Sequence, residues 1–308
     1  MGRRHKGQQV HGWLNLDKPL GLSSSQAVSR VQRAFDAKKA GHGGTLDPLA
    51  TGILPIAFGE ATKTAAYAMD GSKTYYFGVR WGESRSTDDR EGDVIETHDY
   101  RPTARQIERA LVAFVGTIEQ VPPRYSAVKI DGRRAYDLAR RDKAVELKSR
   151  RVEVRELRLV DVPDAEEAIL SVTCGKGTYV RALARDLANY LGTVGHVDWL
   201  RRTVVGPFTE TDAISLDKIE ALGHIPLDSD LLMPIETVLD DIPALALTVQ
   251  EAQRLKHGQS VSVLPVASRS TFKEIEQGDT VCAMSEGRLV ALARIVDGGI
   301  HPVRVMNL

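Results

Sequence analysis

Gly41-His42-Gly43-Gly44-Thr45-Leu46-Asp47-Pro48-Leu49-Ala50-Thr51-Gly52 is the stretch whose reading decides the rest of the chain. Four glycines and one proline in twelve residues describe a shaped loop and not the interior of an element, because glycine reaches backbone angles closed to other residues. Asp47 is the single ionisable acid between Asp36 and Glu60. Two readings of it stand side by side. Asp before Pro is an ordinary way to start a turn or cap a helix. A lone carboxylate beside glycines that let a flat ligand approach the backbone also suits a nucleophile or base in a pocket.

Working outward toward the N-terminus, Met1 to Val10 is basic and polar and reads as a loose arm over residues 1–10. His11 to Leu16 has strand character and ends in the turn Asp17-Lys18-Pro19-Leu20-Gly21. Ala27, Val28, Val31, Ala34 and Phe35 form one helical stripe behind a Ser23 cap, a helix that delivers the chain to the loop.

Toward the C-terminus, Ile53 to Phe58 is apolar, Ala61 to Met69 suits a short helix, and Lys73 to Trp81 is an aromatic, β-branched strand carrying Tyr75. Glu83 to Asp93 is an acidic connection, and Thr103 with Gln106 makes a capping box for a helix reaching toward Val115. Gly116 to Ile130 reads as a strand region broken by Pro122-Pro123, followed by an Asp131-Gly132 hairpin turn and a basic excursion over Arg133 to Lys148. Two more strands lie around Val152 to Leu159 and Ile169 to Cys174. Thr178 to Leu191 is a helix closed by Gly192, and Val197 to Phe208 is a further strand.

The acidic, proline-punctuated stretch Asp217 to Pro243 marks a domain boundary. Beyond it, a Thr248–Glu251 capping box opens a short helix ended by Gly258, and strands around Val261, Val281, Leu289 to Val296 and Val303 suggest a small β-barrel.

Composition narrows the function classes. The 308 residues, 42% of them hydrophobic, suffice for one large domain and one small one. Lys and Arg total 41 and so do Asp and Glu, so net charge is silent about partners, but the distribution is uneven. Residues 1–45 hold eight bases against two acids, residues 124–158 twelve against six, and residues 217–241 seven acids against Lys218. Such asymmetry fits a nucleic-acid footprint on one face, and equally a solvated surface.

Cys174 and Cys282 are too few for a disulfide framework or a metal site and read as core residues in a reducing compartment. Neither an apolar run of about 18 residues nor a signal-peptide core is present, so the cytoplasm is the expected location. Gly175-Lys176-Gly177-Thr178 lacks the Ser or Thr after Lys that a phosphate loop requires, and the eight His residues lack metal spacing.

Residues 41–55, G-H-G-G-T-L-D-P-L-A-T-G-I-L-P, closely resemble the signature of TruB-type tRNA pseudouridine synthases, whose Asp is catalytic. The resemblance covers about residues 11–210 through four separated motifs. It implies that Asp47 acts on a flipped-out uridine, as nucleophile on the sugar or as base at its 2′ position. It implies that Arg181, in Gly177-Thr178-Tyr179-Val180-Arg181, pairs with that Asp, and that Tyr75, in Lys73-Thr74-Tyr75, stacks on the uracil and can remove its ring proton. From the residues alone Tyr75 would be core packing and Arg181 a surface residue slightly at odds with its helix dipole.

The same resemblance puts His42 in the gap left by the extruded base, Tyr179 and Leu200 (in Leu200-Arg201-Arg202-Thr203) around the uracil, Lys18 and Lys129 on phosphates, and Asp89 at an acidic position near the RNA. Arg85 departs from the usual Thr of that loop. The implied architecture is α/β, a mixed and largely antiparallel sheet flanked by helices over residues 11–240, with an RNA-gripping insertion about 124–152 and a PUA-like RNA-binding barrel over 245–308. The implied substrate is uridine-55 in the T-arm of tRNA, with the acceptor end reaching the C-terminal domain and no cofactor or metal. A non-catalytic RNA-binding or remodelling protein, and a glycosylase that releases uracil, are the rival readings.

Overall fold

The computed structural model describes residues 7–126, 147–223, 225, 230–270 and 275–308, with the backbone of 129–130 and 133–134. In chain order the strands and helices begin with β1 (Gly12–Lys18), α1 (Ser24–Ala34), β2 (Ala40–His42), β3 (Ala50–Phe58), α2 (Ala65–Asp70) and β4 (Lys73–Trp81). They continue with β5 (Glu83–Arg85), β6 (Val94–Thr97), α3 (Ala104–Leu111), β7 (Gly116–Gln120), β8 (Lys129–Ile130) and β9 (Arg133–Arg134). Next come β10 (Arg150–Asp164), β11 (Glu167–Cys174), α4 (Val180–Tyr190), β12 (Gly195–Val205), β13 (Phe208–Thr209), β14 (Ile214–Ser215) and α5 (Leu216–Ala221). The C-terminal part holds β15 (Ala244–Ala246), α6 (Val249–Lys256), β16 (Val261–Ser262), α7 (Val263–Ala267), β17 (Thr280–Ser285), β18 (Arg288–Val296) and β19 (Gly299–Val305).

Among the described residues the main sheet runs β14-β1-β3-β12-β4-β11-β10-β7, with β2 on β3 and β13 on β12. The pairs β1–β14 and β3–β12 are parallel and the others antiparallel, so the sheet is mixed and largely antiparallel. Strand β11 shows how the sequence dictates this. Its buried positions alternate strictly, Ala168, Leu170, Val172 and Cys174 pointing into the core, as a sheet with one covered face requires. Helix α1 covers that core with Ala27, Val28 and Val31, and its N-terminus is closed by the Ser23–Gln26 box.

Several expected boundaries shift for local physical reasons. The helix expected over Thr178 to Leu191 begins at Val180, because Tyr179 is extended at φ −105°, ψ 109° and serves as its N-cap. The segment Ala61 to Met69 is a 3-10 turn over Gly59–Thr64 followed by α2. The acidic connection Glu83 to Asp93 contains β5, which pairs with β6. The strand expected over Val197 to Phe208 is two strands, β12 and β13, folded back on each other around Gly206 at φ +50°.

The N-terminal arm is docked at its end. The Gln8 N–H donates to the Asp36 carbonyl at 2.6 Å, the Gln8 carbonyl accepts from Lys38 N–H at 2.9 Å, and Val10 is buried. Residues 1–6 lie outside the described residues, as does the side-chain environment of the basic excursion 133–146; the backbones of β8 and β9 pair antiparallel on either side of residues 131–132.

In the C-terminal part the described strands form a five-stranded sheet, β15-β17-β18-β19-β16, a half-barrel among the described residues. The described part of the stretch 217–243 contributes to the core. Ile235 and Leu239 share one apolar cluster with Trp13 and Ile53 on one side and with Cys282, Leu289, Leu292 and Met306 on the other. Lys63 Nζ donates to the Val305 carbonyl at 2.6 Å, and Asn307 N–H donates to Glu60 at 2.7 Å. The last strand is thereby tied to the segment that follows β3.

Candidate active site

The glycine-rich stretch is a bend held from three sides. Gly43 N–H donates to the Pro55 carbonyl at 2.8 Å, and a Cβ there would stand 2.9 Å from that of Ala68, so only hydrogen fits. Ser24 of α1 both accepts from the Leu46 N–H at 2.7 Å and donates to the Leu46 carbonyl at 2.8 Å. The Ala50 N–H donates to the Asp47 carbonyl at 3.0 Å, a β-turn with proline in its second position, where its fixed φ is favourable. The backbone of Asp47 therefore fulfils the turn reading while its side chain is left for other work.

That side chain meets Arg181. Arg181 Nη2 lies 2.9 Å from Asp47 Oδ2, and Nη1 lies 3.3 Å from Asp89 Oδ2. The guanidinium also donates to the Thr87 carbonyl at 2.8 Å and the Tyr125 carbonyl at 2.9 Å. Its side chain is 6% exposed and that of Asp89 4%, whereas Asp47 is 38% exposed. Two carboxylates offset the unfavourable placement of a cation in the first turn of α4.

Arg181 is aimed by the start of its helix. β11 ends in the turn Gly175-Lys176-Gly177, with Gly177 at φ +83°, and the chain then passes Tyr179. Gln120, the last residue of β7 and 2% exposed, grips Tyr179 at both ends of its backbone. Its Oε1 accepts from the Tyr179 N–H at 2.8 Å and its Nε2 donates to the Tyr179 carbonyl at 3.1 Å.

Asp47 and Arg181 open into a cavity of about 480 Å³, within the range of small-molecule pockets. Tyr75, Tyr179 and Leu200 line it, so the fold brings together five of the residues singled out in the sequence. Tyr75 and Leu200 reach it from adjacent strands, Tyr75 opposite Arg202 and Leu200 opposite Phe77. Burial raises the Tyr75 phenol above its ordinary range, opposed by the Arg202 guanidinium. Burial raises the Tyr179 phenol too, opposed by the charge of Arg150.

The other expected residues are placed differently. Asp89 sits behind Arg181, accepting from Thr87 Oγ1 at 2.5 Å and the Glu91 N–H at 3.1 Å, so it is a buried anchor. Arg85 braces the same loop, with Nη2 on Glu83 at 2.8 Å and Nη1 donating to the carbonyls of Arg90 and Gly92. His42 ends β2, half-buried, paired with Ile56 and outside the cavity wall. Lys129 lies on β8 with its side chain outside the described residues.

Lys18 corrects its expectation as a phosphate ligand. It is fully buried, its ammonium donating to the carbonyls of Pro19 at 2.9 Å and Leu22 at 2.7 Å. Burial pushes it down to about 8, with the charge of Asp47 opposing.

Three contributors were not singled out in the sequence. Gln120 is one. Lys73, 6% exposed, donates to the carbonyls of Met69 and Gly71, and burial pushes it down to about 8. Arg202, 1% exposed, donates to Ile53 O at 2.7 Å and to Thr45 O and Gly44 O at 3.2 Å each, clamping both ends of the bend. A signal for Arg202 existed: residues i and i+2 of a strand share a face, so a Leu200 that faces the cavity carries Arg202 with it. Arg201, between them, points away to Asp17 and Glu210.

Comparison with known proteins bears on this geometry. Residues 32–180 match the model of the TruB family pseudouridylate synthase N-terminal domain, and residues 181–240 the tRNA pseudouridylate synthase B C-terminal domain. The chain is 58% identical over 308 residues to tRNA pseudouridine synthase B of Rhodospirillum rubrum and 54% identical over 309 residues to that of Caulobacter vibrioides, covering all of both chains in each case. Among solved structures it resembles a Cbf5-Nop10-Gar1 complex, at 25% identity over 96% of this chain and 84% of that one, with a TM-score of 0.72. An H/ACA RNP bound to a substrate RNA containing 2′-deoxyuridine shares the fold at 22% identity and the same TM-score, 0.72. With adjoining models that run from α1 to the end of the acidic stretch and relatives alike over their whole length, the chain belongs to the TruB family of pseudouridylate synthases.

Proposed function

We propose that this pseudouridine synthase isomerises uridine-55 in the T-loop of tRNA, with Asp47 as the reacting carboxylate. The observation that carries the reading is the Asp47–Arg181 pair, whose cation is buried and whose anion opens into a cavity lined by Tyr75, Tyr179 and Leu200. Isomerisation breaks the bond from N1 to the sugar and rejoins the ring through C5, which then loses its proton. No atom is added and no electron leaves, so an oriented carboxylate, a largely dry pocket and a group to take the C5 proton suffice.

Asp47 serves as nucleophile at C1′ or as base at the 2′ position. Arg181 keeps its charge in place, anchored in turn by Asp89. Tyr75 stacks on the ring and its phenol relays the C5 proton, passing on its own O–H proton as it accepts, so that across the reaction one proton leaves C5 and one is gained at N1, while Tyr179 and Leu200 hold the detached uracil against rotation out of the site. His42 occupies the gap that the flipped nucleotide leaves, and Lys129 meets a phosphate. The half-barrel of residues 245–308, in its order and size, supports a PUA-like role on the acceptor end, and the basic segment 124–152 a grip on the T-arm. We place the enzyme in the cytoplasm, where tRNA and reduced thiols coexist.

The deciding experiment is a digest of tRNA incubated with the protein and no added metal or cofactor, with the modified position mapped. Pseudouridine at position 55 that disappears with Asp47→Asn, while RNA binding persists, supports the reading. Full activity of Asp47→Asn would refute it, binding without any modification would leave an RNA-remodelling protein, and release of free uracil would indicate a glycosylase.

A further inference from the structure

Lys176 and Asp70 face each other across the mouth of the cavity. Lys176 stands in the turn between β11 and α4, Asp70 is the last residue of α2, and Nζ lies 2.9 Å from Oδ1. Both residues line the same cavity as Asp47 and Tyr75, yet their side chains are 70% and 58% exposed. The other cations on that wall are occupied below the surface. Arg181 holds Asp47 and Asp89, Lys73 donates to the carbonyls of Met69 and Gly71, and Arg202 donates to three carbonyls of the bend and β3. Among the described residues, Lys176 is the cation of the cavity wall that stands exposed to solvent.

The placement of Asp70 is costly for a site that takes in a nucleotide from a phosphodiester chain, because an exposed carboxylate at the mouth repels the phosphates on either side of the base. Pairing with Lys176 cancels that charge in the free protein. The pair is also easy to break, since exposed ion pairs hold only weakly. A phosphodiester is the stronger competitor, because its neutralisation releases condensed counterions. Next to Lys176 the backbone is bare: Gly177 is at φ +83° with nothing within 4 Å of where a Cβ would be. An RNA backbone can therefore come down onto this turn.

Building on the reading of the site as one for a flipped uridine, we propose that Lys176 is a phosphate-binding residue at the rim of the cavity. In the free protein Asp70 holds its ammonium, and on RNA entry Lys176 exchanges Asp70 for the phosphodiester that flanks the target nucleotide. Asp70 then acts as a competitor, which ties affinity for the substrate to the loss of one ion pair.

The test is equilibrium binding of a T-arm stem-loop RNA over a range of salt concentrations, in an Asp47→Asn background that keeps the chemistry silent. Asp70→Asn is expected to tighten binding about two- to fivefold at low salt. Lys176→Gln is expected to weaken binding and to lower the slope of log affinity against log salt by about 0.7–0.9, one phosphate contact. When both are changed, the gain from Asp70→Asn should shrink to the part that comes from relieving direct repulsion of the phosphates, clearly less than with Lys176 in place. An equal gain with and without Lys176, or an unchanged salt slope in Lys176→Gln, would overturn the exchange. If the chain with Asp47 restored neither binds nor modifies the RNA, the functional reading fails and this inference with it. Modification retained without the Asp70–Lys176 coupling overturns the exchange alone.

Discussion

The Asp47 carboxylate and the Arg181 guanidinium lie 2.9 Å apart with opposite surroundings, the cation 6% and the anion 38% exposed. The asymmetry divides the labour. Arg181 is locked by Asp89 and two carbonyls, so Asp47 is held from behind and presents its outer face to the cavity.

Removing Arg181 should therefore cost more than activity. Arg181→Met leaves Asp89, with 4% side-chain exposure, as a buried carboxylate without its cation, and a loss of about 3–5 kcal/mol of stability is expected. Adding Asp89→Leu removes the stranded charge and should restore much of that stability, whereas pseudouridine formation should stay at least ~100-fold down because Asp47 has lost its partner. Thermal melts beside single-turnover rates would check both halves; recovery of the rate in the double variant would contradict the division.

Gln120 is a positioning residue that acts through Tyr179. Gln120→Leu keeps the volume but strips the partners from a backbone N–H and a backbone carbonyl, each worth about 1–3 kcal/mol if left unsatisfied. The expected result is lower stability and a fall in kcat larger than any rise in KM, since Arg181 follows two residues on. Gln120→Glu, which can still accept from the N–H, should recover part of the kcat; no recovery would mark Gln120 as purely structural.

At Gly52 the main chain of β3 passes against β12. The residue has φ +99°, and a Cβ would stand 2.1 Å from the Arg202 carbonyl oxygen. Gly52→Ala should cost about 2–4 kcal/mol through strain and overlap combined. Gly177→Ala supplies the contrast: it has the strained φ but open space, so urea denaturation should show a smaller loss.

The buried lysines set a pH dependence. Burial takes Lys18 and Lys73 from an ordinary 10.5 down to about 8. Between about pH 8 and 10 the unfolded chain binds more protons than the folded one, so the contribution of these groups to stability rises with pH and is lost as pH falls through 8. Urea midpoints from pH 7 to 10 should climb more in the wild type than in Lys18→Met or Lys73→Met. Identical pH profiles in all three would rule out the depressed values.

Tyr75→Phe separates stacking from proton transfer. The ring remains, so RNA affinity should change by less than about twofold, while loss of the phenol oxygen should lower kcat by roughly 10²–10⁴ if it removes the C5 proton. A kcat within a few-fold of wild type would assign Tyr75 to stacking alone.

Much of the local structure is legible in the sequence. The bend at Asp47, the boxes at Ser23, Thr103 and Thr248, and the strand Lys73–Trp81 depend on residues within a few positions of one another, where backbone preference and periodicity act. The resemblance supplied Arg181, Tyr179 and Leu200, which the fold does bring to Asp47's cavity. The same reading missed that Lys18 is buried. A lysine inside a turn looks solvated until the chain is seen to fold its ammonium onto the carbonyls of Pro19 and Leu22.

The sequence by itself determined the glycine bend, its one acid, the elements on either side and the family that carries them, because each is a matter of residue type and short spacing. The tertiary structure decided which charge lies deep and which faces the cavity, that Gln120 grips Tyr179, that Arg202 clamps the bend, and that Asp70 stands opposite Lys176. Those relationships join segments far apart in the chain, and their geometry is set by strand register, which a one-residue slip would reverse face for face.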